Sequence, residues 1–221
     1  MVQNVLIPFY EDPTTDAADY QLLTQLATAY SDIPVYAVLN PSSGPGTAAS
    51  AAYVAAVKLL KAAGITVVGY INTYVEETKA FVPTETILQQ ITNWLGWYGI
   101  ADIFFDNVQT TNVALYQQLS TAVRTNGGTP IGNPGVNVPA TFIGIFATNF
   151  IFEGPITQSM PVPPAGFPPS NFGVIIYAAP GVFLVSGKTY GWYYTTSNGL
   201  PNPYTGIPLL QATLQAIEAT Q

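Results

Sequence analysis

The sequence predicts an α/β fold: one domain spanning residues 1–221, a TIM-like (β/α)8 barrel with some outer helices missing or shortened in the second half. Three observations carry this. Short apolar runs alternate with helical patterns from end to end, which implies parallel strands joined by right-handed crossovers. Eight strand candidates fall within 221 residues, a length that suits one small barrel. No glycine-rich phosphate fingerprint follows the first strand, which disfavours an open nucleotide-binding sheet.

The predicted strands are Val5–Tyr10, Val35–Leu39, Thr66–Ile71, Ile100–Phe105, Pro130–Gly132, Phe150–Phe152, Gly173–Tyr177 and Tyr190–Thr195. Several are rich in β-branched or aromatic residues and are closed by Gly, Pro, Asn or Asp. Helices fall between them. Asp16 is placed to cap a helix with Tyr20, Leu23, Leu26 and Tyr30 on one face. Thr47 opens an alanine-rich helix with Tyr53, Val57 and Leu60 inward, ended by Gly64. Thr84 follows Pro83 and leads into Ile87, Ile91, Trp94, Leu95 and Tyr98, with Gly99 as the stop. Val113–Val123 forms the next helix, and Ile207–Ala219 the last. Residues 160–169 hold five prolines, so a loop stands where the sixth helix belongs, and outer helices are expected to be incomplete after Pro155.

Composition excludes several function classes. Charged residues are 8% of the chain, against about 25% in an ordinary soluble domain. Hydrophobic residues at 48% and aromatics at 13% exclude a disordered chain. Twelve acids against five bases, net −7, leave too few cations to track phosphates, so no nucleic-acid partner is expected. The absence of His and Cys removes Ser-His-Asp and Cys-His engines, disulfides, and imidazole or thiolate metal sites. No cofactor and no metal are expected. No run of about 18 apolar residues predicts a membrane span, and the opening Met1-Val-Gln-Asn shows no signal-peptide pattern.

Chemistry in such a barrel sits at the C-terminal ends of the strands. Asp12, Asp16 and Asp19 surround the first helix start and read as caps. Asp32, Glu85 and Glu218 lie on helices or their ends, Asp102 opens a strand, and Glu76 and Glu77 sit in a loop near the mouth. Glu11, ending the first strand, stays ambiguous. Asp106 and Glu153 differ: each is a lone acid directly after a strongly apolar strand, Ile103-Phe104-Phe105 and Phe150-Ile151-Phe152. A carboxylate there loses hydration unless it is used or paired, and the bases Lys58, Lys61, Lys79, Arg124 and Lys188 lie mostly on helices or loops. Two such acids at one barrel face are the minimum equipment for glycoside hydrolysis. Carboxyls from alternate strands fall anywhere from roughly 5 to 9 Å apart, which leaves retaining and inverting outcomes both open.

Several segments then fall into a familiar order: Ile7-Pro8-Phe9-Tyr10, Asn40-Pro41-Ser42-Ser43-Gly44-Pro45-Gly46, Ala63-Gly64-Ile65-Thr66-Val67-Val68-Gly69-Tyr70, Ile103-Phe104-Phe105-Asp106, Phe152-Glu153-Gly154, Tyr193-Tyr194-Thr195 and Asn202-Pro203-Tyr204. Together they resemble the spherulin-4 (spherulation-specific family 4) proteins over nearly the whole chain. The resemblance implies a (β/α)8 barrel and a glycoside hydrolase acting on galactosaminogalactan-type polysaccharides, with Asp106 and Glu153 matching the family's acid pair. Asn107 stands where fungal members carry a second acid, and Asn72 where the family often has a histidine. Tyr10, Tyr70 and Tyr193 offer flat faces with polar edges for sugar stacking. Asn40, Asn72, Asn107 and Asn133 are the candidate amides for sugar hydroxyls. Asn107, next to Asp106, is expected to donate its amide to that carboxylate and favour its ionised form. Glu153, after three apolar residues, is expected to keep its proton and act as the acid. The expected partner is a polysaccharide or oligosaccharide, met outside the cytoplasm or on an external surface. The competing reading is a non-catalytic carbohydrate-binding or structural surface protein on the same barrel.

Overall fold

The computed structural model describes residues 3–220; Met1, Val2 and Gln221 lie outside the described residues. The barrel strands are β1 (Asn4–Pro8), β2 (Val35–Leu39) and β3 (Thr66–Asn72), followed by a small hairpin of β4 (Tyr74–Val75) and β5 (Ala80–Phe81). The barrel resumes with β6 (Ile103–Asp106), β7 (Pro130–Gly132), β8 (Thr148–Pro155), β9 (Phe172–Tyr177) and β10 (Trp192–Thr195). All eight pair in parallel and in chain order, and β10 closes back onto β1. Closure leaves the sheet without a free edge. Helices α1 (Ala17–Ala29), α2 (Ala51–Ala62), α3 (Thr84–Tyr98) and α4 (Val113–Thr125) wrap the first half, and α5 (Leu210–Glu218) follows β10.

Local chemistry explains where the elements begin and end. In α3, Ile87, Ile91, Trp94 and Tyr98 recur at helical spacing and are all buried. Gly99 takes the left-handed conformation at φ 64°. Its N–H donates to the Leu95 carbonyl, and the N–H of Ile100 donates to that of Trp94. Ile100 is therefore part of the helix stop, which is why β6 begins at Ile103 and not at Ile100. The alanine-rich helix begins at Ala51 rather than Thr47, after the Pro- and Gly-rich turn has run its course. Asp16 occupies the N-cap position of α1 without capping it: its carboxylate accepts from the Asp12 N–H instead.

The expected shortening of the outer layer is present and begins earlier than the prolines alone predict. None of the three crossovers from β7 to β10 carries an α-helix. The fifth is covered by aromatic side chains. Phe146 packs against Phe105, Tyr116 and Phe142 at centroid distances of 5.7–5.8 Å. Gly132 makes room for it, since a Cβ there would meet the Phe146 ring at 2.3 Å.

One irregularity positions an acid. The register of β8 against β9 shifts between Phe150 and Phe152. Phe150 points into the barrel, where it meets Phe104 edge-on at 5.8 Å. In a regular strand a residue three positions on faces the opposite side. The bulge reverses that parity, so Glu153 also points inward.

Gly69 of β3 faces outward under Trp94, and a Cβ there would lie 2.5 Å from the indole. The indole is fully buried and donates to the Tyr70 carbonyl at 2.9 Å, so it has nowhere to go. Gly69→Ala is expected to cost about 1–3 kcal/mol through overpacking. In a chain of this size that is roughly 2–4 °C of melting temperature per kcal/mol. Gly96→Ala, on an exposed helical position with open space, serves as the control and is expected to leave the melting temperature unchanged or raised. Calorimetry on the two variants checks both.

Candidate active site

At the C-terminal mouth of the barrel lies a cleft of about 500 Å³. Asp106 from the end of β6, Asn133 just after β7 and Glu153 from β8 meet on its floor. Three successive barrel strands thus deliver acid, amide and acid. The Asn133 Nδ2 donates to Asp106 Oδ1 at 2.8 Å and also to Glu153 Oε2. Both its hydrogens are committed, one to each carboxyl. The Tyr70 hydroxyl donates to Asp106 Oδ2 at 2.8 Å, and the Tyr204 hydroxyl donates to Glu153 Oε1. Tyr10 stands edge-on to both tyrosines, at 5.4 Å from Tyr70 and 5.6 Å from Tyr204.

No lysine or arginine lines this cleft. Lys61 donates to the Gly99 carbonyl and Arg124 to the carbonyls of Gly144 and Ile145. Lys79 pairs with Glu76, an acid on the cleft's rim. Burial therefore dominates the electrostatics, and it raises both carboxyls above their ordinary range. For Asp106 it is opposed by donors from Tyr70, the Asn107 backbone N–H and Asn133. For Glu153 burial is joined by the negative charge of Asp106, and opposed by Tyr204 and Asn133. Glu153 carries the extra repulsion and the fewer donors, so it is the group that keeps a proton when Asp106 ionises. The hydroxyls of Tyr70 and Tyr204 are pushed far up by burial and by the adjacent carboxylates, so they stay protonated as donors.

The loop after Asp106 is moored from below. Thr73 Oγ1, fully buried, donates to the Asp106 carbonyl at 2.8 Å and lies 2.9 Å from the Tyr116 hydroxyl. That hydroxyl in turn accepts from the Gln109 N–H at 2.9 Å. Asn107 sits at φ 53°, a left-handed conformation that asparagine tolerates better than most residues.

Of the residues predicted from sequence, Tyr10, Asp106, Asn107, Asn133 and Glu153 line the cleft, and Tyr70 supports it by holding Asp106. The others are placed differently. Asn107 supports Asp106 through its backbone N–H and not its amide; the left-handed turn sends the amide to Asn72 Oδ1 at 3.0 Å. Asn72 is thereby a partner of Asn107, and also accepts from the Tyr74 N–H. Asn40 is used in its own loop, its Oδ1 accepting from the Gly44 N–H at 3.0 Å. Tyr193 lies away from the cleft: it is fully buried, donates to the Phe183 carbonyl and stands beside the hydroxyls of Thr195 and Thr213, the latter on α5. Even strand parity explains this, because Tyr194 takes the inward position. Tyr204 was missed as a site residue, although Asn202-Pro203-Tyr204 is a proline-braced aromatic in the loop after the last strand. Thr73 and Tyr116 carry no sequence signal for their mooring role.

The family model described as Spherulation-specific family 4 matches residues 4–210. The chain belongs to that family. Among solved structures, Aspergillus clavatus Sph3 in complex with GalNAc superposes with a TM-score of 0.81 at 16% identity, covering 98% of this chain and 97% of that one. A putative fructose-1,6-bisphosphate aldolase from Coccidioides immitis superposes at 0.56 with 13% identity, over 99% and 89%. At these identities the likeness is one of fold: both support the closed barrel. No curated protein sequence matches the chain.

The raised carboxyls make stability depend on pH. Their folded pKa values exceed the unfolded ones, so their contribution is complete at pH below the unfolded range and is lost as pH rises through the folded values. Glu153→Gln removes one such group. The melting temperature of this variant relative to the parent is expected to rise between pH 4 and pH 7; calorimetry showing a constant or falling difference would contradict the assignment.

Proposed function

We propose that this protein is a glycoside hydrolase acting on a galactosamine-containing polysaccharide, with Glu153 as proton donor and Asp106 as nucleophile. The shared Asn133 amide is the observation that carries the reading. Two acceptors on one NH2 group face each other across no more than two hydrogen-bond lengths, roughly 6 Å. Retaining glycosidases hold their carboxyls about 5–5.5 Å apart, inverting ones about 6.5–9.5 Å. The geometry therefore supports double displacement. Asp106 attacks the anomeric carbon as the glycosidic bond breaks, and the departing oxygen takes the Glu153 proton. Glu153, now ionised, then takes a proton from water as that water attacks the same carbon and releases Asp106.

The class of sugar follows from the charge. Asp106 and Glu153 face the cleft with no cation lining it, and Glu76 on the rim is already paired with Lys79, which disfavours anionic substrates. That Sph3 was crystallised with GalNAc on the same fold supports an amino sugar. A polysaccharide of this class places the protein's work outside the cytoplasm. No helix of the described residues is long and apolar enough to cross a membrane.

Incubation with galactosamine-containing glycans is expected to release reducing ends, with the first anomer seen by NMR keeping the configuration of the substrate. Asp106→Asn and Glu153→Gln are each expected to cut turnover by orders of magnitude without lowering the melting temperature at pH 7. Binding without cleavage in the parent would favour the non-catalytic carbohydrate-binding reading. Galactosamine oligomers are expected to bind more tightly than polyuronates of equal length in calorimetric titration; the reverse order would remove the charge argument.

A further inference from the structure

We infer that Glu11 is a positioning residue for this site, fastening the loop that carries Tyr204 onto Glu153. The inference rests on the glycosidase reading only for its consequence in turnover; the contact itself is independent of it. Glu11 follows β1 and is 9% exposed. Its backbone is pinned from two helices, its carbonyl accepting from the Tyr20 hydroxyl at 2.9 Å and the Tyr53 hydroxyl at 3.5 Å. Its side chain pairs with no cation among the described residues. It faces Asp16 and Asp19 of the α1 region, the Tyr20 hydroxyl, and Tyr194 of β10. An apolar side chain would fill such a place with less electrostatic cost. Besides a contact with the Asp16 carboxyl, which raises its pKa, the carboxylate has one donor: Oε1 accepts the Gly206 N–H, 195 residues away in sequence.

Gly206 lies two residues beyond Tyr204, so the anchor and the backbone of the residue that delivers the hydroxyl are within about 7 Å of chain. The loop between β10 and α5 is also held at its start, where the Ala178 N–H donates to the Asn198 carbonyl at 2.7 Å, and at its end, where Ile207 is buried. Asn198 donates to the Thr205 carbonyl within the same loop, and Asn202 accepts from the Tyr204 N–H. Both bonds stiffen the loop on itself; the Glu11 bond ties it to the barrel. The loop also walls the cleft through Leu200, Pro201 and Pro203. Losing the anchor withdraws the hydroxyl from Glu153, whose other charged or titratable neighbours, Asp106, Tyr10 and Tyr70, donate no hydrogen bond to it, the Tyr70 hydroxyl being committed to Asp106.

The test reads the contact and its consequence separately. A tyrosine hydroxyl buried against a carboxylate gives a downfield, slowly exchanging proton signal in the NMR spectrum, assigned by its loss in Tyr204→Phe. Glu11→Ala is expected to abolish that signal, and Glu11→Gln, which keeps a carbonyl acceptor, to retain it. In turnover, Glu11→Ala is expected to lower kcat about tenfold, the scale of one charge-assisted hydrogen bond, with KM changed less than about twofold. Added to Tyr204→Phe it is expected to lower kcat no further. If Glu11→Ala does not fold, Glu11→Asp, which withdraws the acceptor by one methylene, takes its place. A Tyr204 signal that survives loss of the acceptor, or additive losses in the double variant, overturns the inference. A parent that cleaves no glycan while the signal follows Glu11 leaves the anchor standing and removes the glycosidase reading instead.

Discussion

Asn133 holds two carboxyl groups on one nitrogen, in a cleft with no cation to offset them. Like charges that close and that poorly hydrated cannot both ionise at ordinary cost. The structure answers with neutral donors: two tyrosine hydroxyls, one backbone N–H and both hydrogens of the amide. Because the donors are distributed unequally, the two acids are not equivalent. Asp106 receives three and Glu153 two, and Glu153 also feels the charge of its neighbour. The two carboxyls are distinguished by that imbalance rather than by any positive charge.

The rest of the barrel serves to keep this arrangement in place. Strand order alone puts an amide between the acids, since β7 lies between β6 and β8. The bulge in β8 turns Glu153 inward where regular pleating would turn it out. Below Asp106, Thr73 and Tyr116 fix the backbone, and behind them the Phe146 cluster fills the place of a missing helix. Thinning of the outer layer in the second half therefore leaves the floor of the site supported, by rings rather than by a helix.

Much of this was legible in the sequence. Alternating strands and helices specify the barrel because each period buries a different surface, and Asp106 and Glu153 stand out because an acid after three apolar residues needs a reason to be there. Boundaries were less legible where one residue serves two elements, as Ile100 does in closing α3. The side-chain destinations of Asn107, Asn40 and Tyr193 depend on a left-handed φ, an Asx-type turn and strand parity, none of which the residue type alone decides. Tyr204 comes from a loop whose path depends on a contact with Glu11, 193 positions earlier in the chain, and no local pattern encodes that.

Asn72 and Asn107 carry the same lesson about contact. Read along the chain they are separate residues, 35 positions apart. In space they are one hydrogen bond, amide to amide at 3.0 Å. The two asparagines make this N–H···O contact without carrying charge. Asp106, which Asn107 follows directly, is thus spared another carboxylate beside it. Its nearest charged partner on the cleft floor is Glu153. Protonation of those two is then governed by burial, by Asn133 and by the two tyrosines, and the neutral Asn72–Asn107 pair adds no titrating group beside them.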